Sequence, residues 1–232
     1  MLPLPFSAWE RGMRRYGFHG LSYEYIAFEL ARQYGESARG RTIVAHLGNG
    51  ASLCAMRDLQ SVATTMGFSA LDGLMMGTRC GSIDPGAVLY LMEIEKLTLE
   101  QVGQLLYRQS GLLGVSGKSS DMRVLFSLEP DDKRVKAALA LYVRGIVRET
   151  GSLVAILGGL DMLVFTAGVG EHSAVLRARV CRELAFLGIE LDDEANKSHA
   201  AVISSAASEV RVLVEPTNEE WMAARHTREL AG

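Results

Sequence analysis

Six short stretches of this sequence carry the side chains and glycines from which chemistry can be built. Residues 46–52 read His-Leu-Gly-Asn-Gly-Ala-Ser. Glycines on either side of Asn49 let backbone approach a ligand with no Cβ in the way. Bare N–H groups at such a tip can cradle phosphate oxygens. An ordinary hairpin turn explains the same spacing, because Asn-Gly is a common turn pair. Residues 166–173 read Thr-Ala-Gly-Val-Gly-Glu-His-Ser. A strand entering a Gly-x-Gly turn and then a helix aims backbone N–H groups and a positive helix end at an anion or a nucleotide. Gly168 and Gly170 lack the third glycine of a dinucleotide fingerprint, and no Gly-Lys-Ser/Thr phosphate loop occurs. Close packing of helix on strand is the competing explanation.

The other stretches are polar. Arg79 lies in the glycine-rich residues 76–86, and arginine suits bidentate contact with phosphate or carboxylate; a surface loop arginine is the alternative. His19 stands between glycines at 17–20, after Arg14 and Arg15. Packing explains such a histidine poorly; it either caps the next helix or donates to a transferring phosphoryl group. Asp121 and Arg123 flank Met122 and offer either a helix cap or a grip on a ribose or base. Glu219 and Glu220 follow Pro-Thr-Asn. Acids suit a helix start, and a carboxylate at a strand end can also bind Mg2+ through water. His199 and His226 read as surface residues, and Met66, Met75 and Met76 as packing rather than a metal site.

Regular elements must hold these groups in place. Helical spacing predicts helices over 22–34, 98–109, 131–157, 174–186 and 218–230. Thr98 with Gln101 makes a capping-box pattern, and Asp84 before Pro85 suits a helix start. Strands are expected at 42–47, 51–56, 162–166 and 210–214, with a glycine-tipped hairpin joining the first two. Residues 64–85 read as a long loop, 168–171 as a turn, and 2–6 as a linker. Interleaved strands and helices give an α/β class.

Composition narrows the functions. The chain has 232 residues, 48% of them hydrophobic, and a formal charge of -3. Nothing in that balance suggests nucleic-acid binding. No apolar run reaches the ~20 residues needed to span a bilayer, so a soluble protein without a membrane partner is expected. The three cysteines, Cys54, Cys80 and Cys181, form no close pair; a reducing, cytoplasmic setting fits them.

Taken in order, these stretches resemble the acetate kinase family. The matching segments are RRYGFHG (14–20), HLGNGAS (46–52), TTMGFSALDGLMMGTRCGSIDPG (64–86), SGLLGVSGKSSDMR (110–123), FTAGVGEHSAVLR (165–177) and PTNEE (216–220). The resemblance implies a ribonuclease-H-like, actin-like ATPase fold, with a mixed sheet flanked by helices. It also implies reversible phosphoryl transfer between ATP and acetate, giving ADP and acetyl phosphate with Mg2+. Carried over by position, His46, Leu47, Gly48, Asn49 and Gly50 would contact nucleotide phosphates. Asp121, Met122 and Arg123 would contact the nucleotide. Gly168, Val169, Gly170, Glu171 and His172 would form the adenosine loop. His19 and Arg79 resemble transition-state stabilisers, and Glu219 a Mg2+ ligand.

Departures from the family pattern are visible. Leu21 and Tyr23 replace a Thr and a second His, Cys80 and Ser82 replace a Ser and an Asp, and His172 stands where Asn is more usual. No segment matches the family's N-terminal N-x-G-S-S-S-x-K element. The expectation is therefore a C-terminal nucleotide-binding domain over 1–217, with a helix at 218–232 that packs on an N-terminal domain missing here. Such a chain would have little acetate kinase activity alone. A homodimer is expected by resemblance, as is a separate N-terminal half as partner. Propionate or butyrate could replace acetate, since one methylene in an apolar pocket is worth about 1–3 kcal/mol. The alternative is a non-catalytic nucleotide-binding or interaction remnant.

Overall fold

The computed structural model describes residues 1–232. Its sheet begins where β-branched and apolar residues cluster. Strands β1 (Arg41–Leu47) and β2 (Ala51–Arg57) pair antiparallel, with His46 opposite Ser52, and the glycine-tipped turn joins them. Strand β3 (Gln60–Thr64) pairs antiparallel with β2. Strands β4 (Met162–Thr166) and β5 (Arg211–Val214) then add in parallel on the other side of β1. The order is β3-β2-β1-β4-β5. This is the mixed α/β sheet the resemblance implied.

Eleven helices follow the chain: α1 (Phe6–Glu10), α2 (Gly20–Tyr34), α3 (Pro85–Glu93), α4 (Leu99–Arg108), α5 (Gly111–Ser116), α6 (Met122–Leu128), α7 (Lys133–Leu157), α8 (Ala167–His172), α9 (Ala174–Glu183), α10 (Asp193–Lys197) and α11 (Glu219–Ala231). The long helix, the hairpin and the strands at 162–166 and 211–214 stand close to where sequence put them. The predicted caps are real. Asp84 accepts from the Gly86 amide, and Thr98 and Gln101 close a capping box.

Several elements add to the expectations, and one expectation is corrected. A short helix over 6–10 begins at the last residue of the linker expected at 2–6, and β3 occupies a stretch with no strong period. Helices α5 and α6 are too short for a periodic signal to stand out. Residues 168–171 are not a turn: α8 starts directly after β4, and Ala167 takes the bend at φ 63°.

Strand alternation assigns faces. Ile43, Ala45, Leu47, Leu53 and Phe165 pack toward α7 and α9 in the larger core. Val44, Cys54, Met56 and Val164 pack toward Tyr23, Ile26 and Leu30 of α2. The same alternation carries His46 and Ser52 to the α2 face. Met66, Met75 and Met76 are buried in the larger core, as packing residues should be. Helix α11 lies on α2, with Met222 buried and Trp221 against Tyr25 and Phe28. Met1, Leu4, Phe6 and Leu230 remain exposed. No helix is long and apolar enough to cross a membrane.

Candidate functional site

Three stretches distant in sequence line one cleft of about 550 Å³. Gly48 and Asn49 come from the hairpin tip, Asp121, Met122 and Arg123 from the start of α6, and Gly168, Val169 and His172 from α8. The hairpin tip is tight: the Gly48 amide donates to the Gly50 carbonyl at 2.9 Å. Asn49 lies over Gly77, whose amide donates to the Asn49 carbonyl, and a Cβ on Gly77 would collide with the Asn49 side chain. That close approach explains a glycine before Thr78 and Arg79. Asp121 does cap α6, accepting from the Arg123 amide at 2.8 Å, and its carboxylate also pairs with the Arg123 guanidinium. The bond to that guanidinium, with the amide bond, holds the Asp121 carboxyl down to about 2. Cap and cleft wall are one residue.

Leu47 and Gly170 lie beneath the cleft, both buried. A Cβ on Gly170 would stand 3.6 Å from the Ala45 carbonyl and 3.7 Å from Leu47 Cβ, so α8 rests directly on β1. Glu171 turns away from the cleft and accepts from the Thr217 amide at 3.4 Å.

Beside the hairpin tip stand His19 and Arg79. A Cβ on Gly50 would lie 3.2 Å from His19 Nε2 and 3.8 Å from an Arg79 terminal nitrogen. Arg79 donates to the Ala70 carbonyl at 3.0 Å, and no carboxylate pairs with it. An unneutralised guanidinium at a glycine-walled tip is poised for an anion. His19 has φ 60°, a conformation few non-glycine residues adopt, and it immediately precedes α2. Its ring stacks on that of His46 at 4.0 Å between centroids. Burial, and then the Arg79 charge, push the His19 pKa down. Burial, and then His19, push His46 down to about 3. Both rings are therefore neutral at ordinary pH.

This has a consequence for stability. Unfolding returns His46 to its ordinary value of 6.5, so the folded chain binds fewer protons between 6.5 and about 3. Stability is present above the unfolded value and is lost as pH falls through that window. The slope is at most about 1.4 kcal/mol per pH unit for each such histidine. Denaturant midpoints at about pH 7.5 and about pH 5.5 check this, well above the ordinary carboxylate range. An equal or higher midpoint at the lower pH contradicts it, and His46→Asn should flatten the difference.

Glu219 opens α11 behind its cap residue Asn218, half-buried and without an ion pair. No three His, Cys, Asp or Glu side chains converge as a metal cage. A lone carboxylate still suits Mg2+ that arrives with a phosphate, because Mg2+ commonly keeps waters and takes one or two protein oxygens.

Sequence reading missed several residues that build the site. Arg177 is fully buried and donates to the carbonyls of Gly170, Glu171 and Asn196, to Asn196 Oδ1 and to His199 Nδ1, at 2.6–2.9 Å. It clamps the end of α8 to α10. His199 is exposed, as expected, yet one ring nitrogen serves that clamp. Ser22, Tyr23, Ser52 and Thr217 support the two stacked histidines. Lone hydroxyls carry no spacing signal, so only the fold could single them out.

The model of the Acetokinase family matches residues 2–225. An acetate kinase of Rhodopseudomonas palustris is 56% identical over 231 residues, which cover 98% of this chain and 58% of that protein. The crystal structure of Porphyromonas gingivalis acetate kinase superposes with a TM-score of 0.93 at 38% identity, covering 100% of this chain and 60% of that one. That of a propionate kinase from Francisella tularensis gives 0.91 at 35% identity, covering 97% and 58%. The chain thus spans rather more than half the length of the relatives it matches.

Proposed function

Since this chain belongs to the acetokinase family, we propose that it supplies the nucleotide side of a kinase cleft that moves a phosphoryl group between ATP and acetate. The observation that carries this reading is the convergence of the hairpin tip, the start of α6 and the start of α8 on one cleft. The relatives' names give acetate and propionate as substrates of those proteins. A short-chain carboxylate, acetate first, is accordingly the acceptor here.

In this reading the adenosine lies against Gly168, Val169 and His172, with Asp121, Met122 and Arg123 opposite. Its phosphates run toward Gly48, Asn49 and Gly50. A carboxylate oxygen of the acceptor attacks the γ-phosphorus while the bond to the bridging oxygen of ADP breaks, leaving acetyl phosphate and ADP. Charge spreads over the three equatorial oxygens, so catalysis rests on positioning and electrostatics. Arg79 meets that charge with a guanidinium, and His19 with a neutral ring donor. Glu219 would hold Mg2+ through one oxygen, and the ion would neutralise charge on the nucleotide phosphates. A homodimer, a partner carrying the region the chain does not span, and a cytoplasmic setting belong to the same reading.

Calorimetric titration with Mg·ADP and Mg·ATP tests the nucleotide half. The wild-type chain should bind both. Gly170→Val should weaken binding at least about tenfold, because its methyls press α8 off β1 at contacts already ordinary for a Cβ. Asn49→Ala should cost about 1 kcal/mol, near fivefold, for a lost polar contact. A folded wild-type chain that binds neither nucleotide refutes the reading.

A further inference from the structure

The two stacked histidines are braced crosswise. His19 precedes α2, and its Nδ1 lies 2.8 Å from Ser52 Oγ on β2. His46 is on β1, and its Nδ1 lies 2.8 Å from Ser22 Oγ on α2. Each serine has one further partner. Ser52 meets the Tyr23 hydroxyl in a short hydrogen bond, and Ser22 accepts from the Thr217 hydroxyl at 2.9 Å. Both serines are fully buried, and Tyr23 nearly so.

Counting hydrogens then decides the tautomers. Tyr23 has no hydroxyl partner but Ser52, so its hydrogen must go there. Ser52 spends its own hydrogen on His19 Nδ1, its one remaining partner. Thr217 is only half-buried, so here the direction is taken from the bond itself: with Thr217 Oγ1 donating to Ser22 Oγ, Ser22 is left to donate to His46 Nδ1. A ring nitrogen that accepts is unprotonated, so each neutral ring carries its hydrogen on Nε2. Those nitrogens face the hairpin tip: Cβ atoms built on Gly50 and Gly48 would stand 3.2 Å from His19 Nε2 and 3.8 Å from His46 Nε2. A protonated ring would push a hydrogen at a serine that already receives one, leaving a buried hydroxyl hydrogen without an acceptor.

We propose that Tyr23 and Ser52 are positioning residues that lock His19 as its Nε2–H tautomer aimed at the hairpin tip, and that Thr217 and Ser22 lock His46 in the same way. The site then meets phosphate oxygens with two neutral N–H donors beside the Arg79 cation, rather than with three cations. The tautomer assignment stands on the hydroxyl pairs alone; its use on phosphate rests on the nucleotide reading above.

The test uses the whole chain labelled with 15N. Long-range 1H–15N correlations of the imidazoles report tautomers directly, with and without Mg·ADP. Wild type should show one pyridine-like nitrogen, Nδ1, in each of His19 and His46. Tyr23→Phe changes only a hydroxyl and should preserve the fold. It should mix the tautomers of His19 and leave His46 unchanged. Ser22→Ala should do the reverse, a selectivity that general loosening would not produce. Ser52→Thr keeps a hydroxyl and should retain the wild-type pattern, whereas Ser52→Ala should lose it. Mg·ADP affinity in Tyr23→Phe should fall about 2- to 10-fold, the range of one hydrogen bond. Wild-type rings protonated at Nδ1, or unaltered His19 signals in both Tyr23→Phe and Ser52→Ala, would overturn the proposal even if nucleotide binds. The expected tautomers in a chain that binds no nucleotide would uphold the locks and refute the functional reading instead.

Discussion

Arg177→Ala is expected to lower the stability of the chain by about 4 kcal/mol or more, combining orphaned buried acceptors with a large cavity. The side chain is fully buried, yet no carboxylate pairs with it. Five hydrogen bonds to three carbonyls, an amide oxygen and a ring nitrogen take the place of a counter-ion. Burial without a partner pushes its pKa down to about 10, which leaves it charged at neutral pH. Truncation strands the Gly170 and Glu171 carbonyls at the end of α8, where each unpaired buried group costs about 1–3 kcal/mol. Arg177→Lys keeps the charge but offers three donors from one point. It should recover less than half of the loss. Urea denaturation monitored by Trp221 and far-ultraviolet dichroism measures both variants. A midpoint for Arg177→Ala within error of wild type would show that the clamp is dispensable. Because α8 forms one wall of the cleft, nucleotide affinity should fall in parallel under conditions where the variant is still folded.

On the proposed kinase reading, Arg79→Ala should reduce phosphoryl transfer by about 10²- to 10³-fold, the range measured for loss of one transition-state donor. The assay is acetyl phosphate formation by this chain supplemented with the region of its relatives that it does not span. The guanidinium stands beside Gly50 and His19 and is held by the Ala70 carbonyl, without a carboxylate to neutralise it. An interaction made with charge that develops during transfer lowers kcat and kcat/KM together and leaves KM nearly unchanged. A variant whose kcat stays within about threefold of wild type, or whose loss lies wholly in KM, would remove Arg79 from the transition state. Stability should barely change, since its one backbone hydrogen bond is worth about 1 kcal/mol. The two arginines should therefore separate: Arg177→Ala loses fold first, and on the proposed reading Arg79→Ala loses turnover first.

Much of this protein was legible in its sequence, because the signals involved are local. Strands 42–47 and 162–166 announce themselves by β-branched and apolar residues. Helix α7 announces itself by sustained period, and the hairpin by Gly-Asn-Gly. Asp84, Thr98 and Asp121 act as caps because capping needs only a short polar side chain two or three residues from a free amide. The long motifs also carry the family resemblance by themselves, and the family model matches residues 2–225. What only the tertiary structure decided are relations between segments. The parallel addition of β4 to β1 brings Gly170 under Leu47 and joins residues 46–50 to residues 166–172, more than a hundred positions apart. Stacking of His19 on His46, and their serine braces, depends on α2 crossing the β1–β2 face in one register. The burial of Arg177 depends on α10 closing over α9. The sequence of α8 reads as a turn because its start lies in a positive-φ alanine, which propensity alone disfavours and which packing on β1 enforces. Local chemistry writes elements and caps into the sequence. Long-range packing selects which of its polar side chains meet, and in this chain that selection is what makes a site.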